Sequence, residues 1–380
     1  MKRLLLFSGI IMLMLFTCSC NTKTNNSNPT TAPSPTAALS PTTAPTLPAG
    51  TDNGQNNNPG VANGNTNNTE DLTKYHIYTA NEADSTVSVI DLKTMQTTDN
   101  INVGKNPHNV QVTPNGKYIY VVENGDNTIS AIDVTKKKVT DTIKVGKSPS
   151  HIIFTPDSKL AYVSVSEMKD VASKDMSEMK EDGNVYVIDL KSGKIVDKIK
   201  VGIMPHGLRM TPDGEYIYVA NSNSNNVSVI DIVTNKVTTT IDVGKKPVQV
   251  APTQDGRYVF VTLNEDNSVA VIDTTSLEVI KTIPVGKAPV QNFATPDSKY
   301  VYVANQGSND ISVIDTASMS VISTIPADQG THGVLISSGG KYAFVTNTTA
   351  NNISVVDTGS NTVINTISVG KGPNGITMTE

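Results

Sequence analysis

The chain is 380 residues long and sets 30 Lys and Arg against 35 Asp and Glu, for a formal charge of −5. Lysine is interspersed with acidic residues rather than gathered into patches, which excludes the electrostatic footprint of a nucleic-acid-binding surface. The only two cysteines, Cys18 and Cys20, lie near the N-terminus, so the remainder has neither a disulfide nor a thiolate metal site and must hold together by packing.

Lys2 and Arg3 precede an apolar run from Leu4 to Phe16, followed by Thr17-Cys18-Ser19-Cys20. Such a run is too short to cross about 30 Å of hydrocarbon, and a basic start with a small-residue exit predicts a secretory signal peptide over residues 1–20. The cysteine at the exit resembles a bacterial lipobox. That resemblance implies cleavage before a lipid-bearing Cys and an extracytoplasmic protein held to the cell membrane, on the cell surface or the periplasmic face. Cys20, after small Ser19, is the expected attachment site. Cys18, with Leu15 three residues earlier but Thr17 adjacent, is the alternative, and an ordinary secretory signal is a third reading.

Residues 21–73 are Asn, Thr, Pro, Ser and Gly, with Pro29, Pro33, Pro35, Pro41, Pro45 and Pro48 crowded together. Such a segment cannot bury enough apolar surface to offset ordering entropy, and a disordered stalk spanning roughly 40 Å is expected.

From Tyr75 one pattern recurs. An Asp closes a Val/Ile-rich strand at Asp91, Asp133, Asp189, Asp231, Asp273, Asp315 and Asp357, so the period is 42 residues with one insertion of 14. Each unit reads as four short β-branched or aromatic strands separated by Asp-Gly, Asn or Gly-Lys-x-Pro turn chemistry. A sandwich array, a solenoid and a propeller all repeat strands. A 40–45-residue, four-stranded unit matches one propeller blade, and radial repetition removes exposed edges. Residues 74–380 are therefore expected to be all-β, a seven-bladed propeller of four-stranded antiparallel blades. The first unit opens at its second strand and the C-terminal segment Asn374–Met378 reads as an unpartnered first strand, so this last strand should close the ring.

Tyr218-Val-Ala-Asn221, Tyr302-Val-Ala-Asn305 and Phe344-Val-Thr-Asn347, each followed by a strand ending in Ile/Val-Asp, resemble the YVTN-repeat family of β-propellers. The resemblance covers Tyr75 to Glu380; it implies the fold and leaves activity open, since such proteins are often surface or periplasmic proteins without known chemistry. The unit from Leu160 to Asp189 departs from the pattern, with Ser164-Val-Ser166 in place of the usual Asn.

The recurring turn residues have a structural reading in every blade. The expected innermost strands contain no carboxylate, and there is no haem-attachment, nucleophile-elbow or dinucleotide motif. These absences point to a non-catalytic binding scaffold with no catalytic residue; an extracytoplasmic enzyme or redox partner resembling lactonase or haem d1 propellers is the alternative. The localised signal is histidine. His108, His206 and His332 share one position at the start of an innermost strand and His151 sits one residue later, so the four should rim one mouth of the channel. They either cap loops or bind a metal or anionic ligand, and no metal set is assigned. The insertion 167–183, with Met168, Met176 and Met179, should emerge on the same face as a solvated loop, a short helix or a binding element. The expected partners are the membrane, through the lipid, and a protein or envelope polymer, with the chain itself monomeric. The sequence names no cofactor.

Overall fold

The computed structural model describes residues 70–167 and 182–379. The leader, the lipidation candidates Cys18 and Cys20, nearly all of the stalk, and residues 168–181 of the insertion lie outside the described residues.

Every regular element among the described residues is a β-strand, and the strands form seven separate four-stranded antiparallel sheets. The first blade holds β1 (His76–Asn81), β2 (Thr86–Asp91) and β3 (Gln96–Asn102), and its innermost strand is β28 (Pro373–Thr379) from the far end of the chain. The other six blades each run from inside to outside in chain order. Their innermost strands are β4 (Pro107–Val112), β8 (Pro149–Phe154), β12 (Pro205–Met210), β16 (Pro247–Pro252), β20 (Pro289–Ala294) and β24 (Thr331–Ile336). Each of these touches its neighbours in that order and β28 touches both β24 and β4, so the ring closes.

The burial patterns follow from the radial arrangement. Second and third strands are buried along nearly their whole length, as in Tyr216–Asn221 and Asn226–Asp231, because a neighbouring blade covers each face. Outer strands such as Lys236–Asp242 alternate between exposed and half-buried positions. The core therefore lies between blades. One cluster joins Tyr162, Val185 and Val187 of the third blade to Leu208, Ile217 and Val219 of the fourth.

The repeated polar residues act as ties. Thr295 donates its hydroxyl to Asp297 Oδ1 at 2.7 Å and accepts the Tyr300 N–H at 3.0 Å, which closes the turn after the innermost strand. Asp231 accepts the Thr234 N–H at 2.7 Å in the turn before the outer strand. Asn221 donates to Asn226 Oδ1 and Ser228 Oγ, both at 2.9 Å, fixing the loop between second and third strands. In the third blade the residue at this Asn position is Val165, which pairs with Pro149 as Asn221 pairs with Pro205. Leu263 stands there in the fifth blade and Glu123 in the second. Glu123 keeps a tie by accepting from Gly104 N at 2.8 Å and Thr128 Oγ1 at 2.5 Å.

One boundary differs from the sequence-based expectation. Residues 70–73, read as the end of the stalk, belong to the folded unit: Leu72 is buried with Ile77, Ile90 and Phe344. The seventh blade has Ser337-Ser338-Gly339-Gly340 where the fourth has Thr211-Pro212-Asp213-Gly214, and so lacks the turn carboxylate. Glu70 supplies it from outside the repeat, accepting from Ser337 Oγ at 2.7 Å and Gly339 N at 2.8 Å.

Candidate binding site at the channel mouth

The four histidines come from the second, third, fourth and seventh blades and converge at one mouth of the channel. His108, His206 and His332 are the second residues of β4, β12 and β24, and His151 is the third residue of β8. The pairing explains how both positions reach the axis. In β12 the register runs Pro205↔Asn221 and then Leu208↔Val219, so the innermost strand carries one extra residue, and β8 and β24 show the same shift. A bulge of this kind bends the strand and re-aims its side chains. His151 thus occupies the position that is Gly207 in the fourth blade and Gly375 in the first. At Gly375 a Cβ would fall 2.8 Å from Asn109 Cα and 2.9 Å from Val110 N, so the backbones crowd there and glycine is required.

The imidazoles are packed against one another. Ring centroids are 5.4 Å apart for His108 and His151, 5.2 Å for His108 and His206, and 4.7 Å for His151 and His206, with His332 6.5 Å from His108. His108 Nε2 lies 3.3 Å from His206 Nε2. His206 Nδ1 lies 3.1 Å from the Val248 carbonyl, which fixes that nitrogen as the N–H donor and leaves a lone pair on Nε2. His151 is 3 % exposed and pairs through Nδ1 with Ser150 Oγ at 3.0 Å, while its Nε2 is buried without a partner. Nδ1 of His332 is likewise buried and unpartnered.

Two further residues complete the cluster: Asn374, which shares the rim position of His108 in the sequence, and Glu82, which the sequence did not single out. Glu82, from the loop after β1, sets Oε1 3.8 Å from His108 Nδ1. Asn374 of β28 lies between them, its amide donating to Glu82 Oε2 at 3.1 Å and sitting 3.1 Å from His108 Nδ1. The innermost strands do lack carboxylates, as expected, but a neighbouring loop delivers one. His108 beside it holds the Glu82 carboxyl down at about 2, against the opposing effect of burial. Burial pushes His206 down to about 3 and His332 to about 4, with the other imidazoles adding to the shift, and it drives His151 well below the ordinary histidine range. These three rings are therefore neutral at pH 7. At the same rim position the fifth and sixth blades carry buried apolar Val248 and Val290, followed by buried Gln249 and Gln291 at the position of His151.

The opposite mouth has a different character. A cavity of about 290 Å³ is lined there by Gln111, Phe154, Arg209, Gln254 and Phe293. Arg209 stacks over Phe293 with its guanidinium carbon 5.0 Å from the ring centroid, and burial lowers its pKa to about 10, which leaves it charged at neutral pH. The insertion meets the histidine face at its base, where Glu167 N bonds to the Lys147 carbonyl and Gly183 N to that of Gly202.

Residues 73–380 match the YNCE-like beta-propeller family. The chain belongs to that family. Within the YNCE-like fold, the protein of unknown function from Desulfotomaculum acetoxidans is similar at a TM-score of 0.68 and 15% identity, over 80% of this chain and 99% of that one. Hydrazine synthase of Kuenenia stuttgartiensis is similar at a TM-score of 0.65 and 22% identity, over 73% of this chain and 90% of that one. At these identities the likeness concerns the fold alone. No match was found among curated proteins.

Proposed function

We propose that this YNCE-like propeller is a cell-envelope lipoprotein that acts as a non-catalytic binding module, recognising an envelope protein or polymer at the histidine-bearing mouth. The observation that carries the reading is the convergence of His108, His151, His206 and His332 with Glu82 and Asn374 at one end of a rigid ring. The blades repeat their turn chemistry, yet the residues at this rim position are His108, Ser150, His206, Val248, Val290, His332 and Asn374. A purely structural role repeated in each blade would not call for so uneven a set. Variable positions held by a rigid scaffold are where binding sites are built. Cys20 would hold the module to the membrane and residues 21–73 would carry it clear of the lipid surface.

The test is retention of envelope components from the native host by the full chain, compared with two variants: His108→Ala with His206→Ala and His332→Ala on one face, and Asp213→Asn with Asp297→Asn in the turns of the other. A component lost only from the histidine variant, with melting temperature kept, supports the reading. A component retained by that variant and lost from the turn variant places recognition on the opposite face.

A further inference from the structure

We propose that His108, His151 and His206 form a binding site for one divalent transition-metal ion of the zinc type, with an open fourth position facing the channel mouth. This deepens the functional reading above, on which it rests, by naming the chemistry of the recognition face.

The geometry is close to what such an ion needs. One ligating nitrogen from each of the three residues lies within 4.8 Å of the other two. Tetrahedral coordination with zinc–nitrogen bonds of about 2.0–2.1 Å requires neighbouring nitrogens roughly 3.3–3.4 Å apart. His108 Nε2 and His206 Nε2 already stand 3.3 Å apart, so one edge of the tetrahedron is preformed. His151 needs to close in by up to about 1.5 Å, which a rotation about its side-chain torsions can supply.

The unsatisfied groups point the same way. A buried polar atom without a partner costs on the order of 1–3 kcal/mol, although Asn81, Asn221, Asn305 and His332 each carry one as well. His151 Nε2 is such an atom, on a side chain 3 % exposed and directed into the cluster. With the ring proton on Nδ1 toward Ser150 Oγ, Nε2 carries a lone pair, and a cation would accept that pair. Three imidazoles are thus packed within 5.4 Å of one another, centroid to centroid.

The surroundings of the ligands fit as well. Metal-bound histidines usually donate their second ring N–H to a carbonyl, carboxylate or similar acceptor, which fixes the tautomer and strengthens the donor nitrogen. His206 Nδ1 faces the Val248 carbonyl at 3.1 Å, and His151 Nδ1 faces Ser150 Oγ at 3.0 Å. His108 Nδ1 faces Glu82 Oε1 at 3.8 Å, with Asn374 between them. Binding would shift the His108 proton from Nε2 to Nδ1, where Glu82 accepts it directly or through a reoriented Asn374 amide. A divalent ion held by three neutral imidazoles beside one carboxylate leaves the site with a net positive charge. The open position therefore suits an anionic or imidazole donor presented by the ligand. His332, 6.5 Å from His108, stays outside the ligand set.

The experiment uses the untagged full chain stripped with a chelator, titrated with Zn²⁺ by calorimetry and with Co²⁺ by visible absorption. The expected result is one ion per chain, a tetrahedral cobalt spectrum, loss of binding by at least 100-fold in His151→Asn and His206→Asn, a 10–100-fold weakening in Glu82→Gln, and unchanged affinity in His332→Asn. Glu82→Gln keeps the test informative if a histidine variant fails to fold. Absence of stoichiometric binding, or binding that survives both His151→Asn and His206→Asn, overturns the proposal. Retention of an envelope component that depends on the histidines but is indifferent to chelation would overturn the metal while leaving the recognition face in place.

Discussion

Ending the chain at Gly370 removes β28 and with it the innermost strand of the first blade. The antiparallel pairing of β1 with β28, from His76↔Thr379 to Asn81↔Pro373, disappears. Ile376 and Met378 leave the cluster they share with Ile77, Ile90 and Phe344. Fully burying a side chain of that size contributes about 1.5–3 kcal/mol, and Met378 is only half-buried, so the two together account for roughly 2–5. Thr79 loses its 2.9 Å bond to the Gly375 carbonyl and Thr346 its 2.9 Å bond to that of Asn374. Each contributes about 1 kcal/mol, which brings the total to roughly 4–7. Against a domain stability of about 5–15 kcal/mol, the truncated protein should be largely unfolded or nearly so at room temperature. Denaturant titration followed by far-ultraviolet circular dichroism measures this, and a synthetic peptide of residues 371–380 added in trans should recover part of the loss. A truncated protein with the same midpoint and the same slope as the full chain would refute the closure argument.

Stability should fall as pH drops below the ordinary histidine value of 6.5, because the unfolded chain takes up protons that buried His206 and His332 refuse until about pH 3 and about pH 4. Each such imidazole contributes a slope of up to about 1.4 kcal/mol per pH unit in that window. Glu82 acts in the same direction, since a carboxyl lowered from 4.5 to about 2 favours the fold above pH 4.5 and loses that contribution as the pH falls toward 2. Melting temperature measured from pH 7.5 to 4 should decline, His206→Asn with His332→Asn should flatten the curve, and a flat wild-type curve would count against the burial argument. Glu70→Ala should destabilise the domain by about 1–2 kcal/mol through the lost charge-assisted bonds to the seventh-blade turn. Adding Gly339→Asp to that variant should restore stability, because the new carboxylate would occupy the space Glu70 vacates, and no recovery in a thermal melt would mean Glu70 is not the missing turn acid. Cys20→Ala should release the protein from membranes in a fractionation experiment, whereas release by Cys18→Ala alone would assign the lipid to the other cysteine.

The fold was legible because one residue type at one place in every unit, from Asp91 to Asp357, exposes a 42-residue period, and the four β-rich segments within each unit match a propeller blade. The second-strand opening at His76 and the unpartnered strand at Asn374 also disclosed the closure. The histidines were visible as a shared position, yet their contact was not. Ring radius and the bulge that follows each Pro107-type residue decide whether side chains on separate blades meet, and neither is encoded in local pattern. Glu82 was hidden for another reason. It sits in Asn81-Glu82-Ala83-Asp84, a polar loop whose composition reads as turn, and only the three-dimensional neighbourhood of β28 gives its carboxylate a partner. Glu70 lies in a stretch whose upstream composition argues for disorder, and the signal that could have found it is the missing acid at Gly339.

Closure by the final strand makes the ring a detector of its own completeness. The residue that links Glu82 to His108 is Asn374, carried on that same last strand. A chain cut short by an aborted message or by C-terminal clipping therefore loses its latch and the support of its histidine mouth in one event. Such a product presents the open edge of β1 to proteases and chaperones instead of circulating as a stable disc with a blank face, so defective copies should be cleared before they can occupy a partner unproductively.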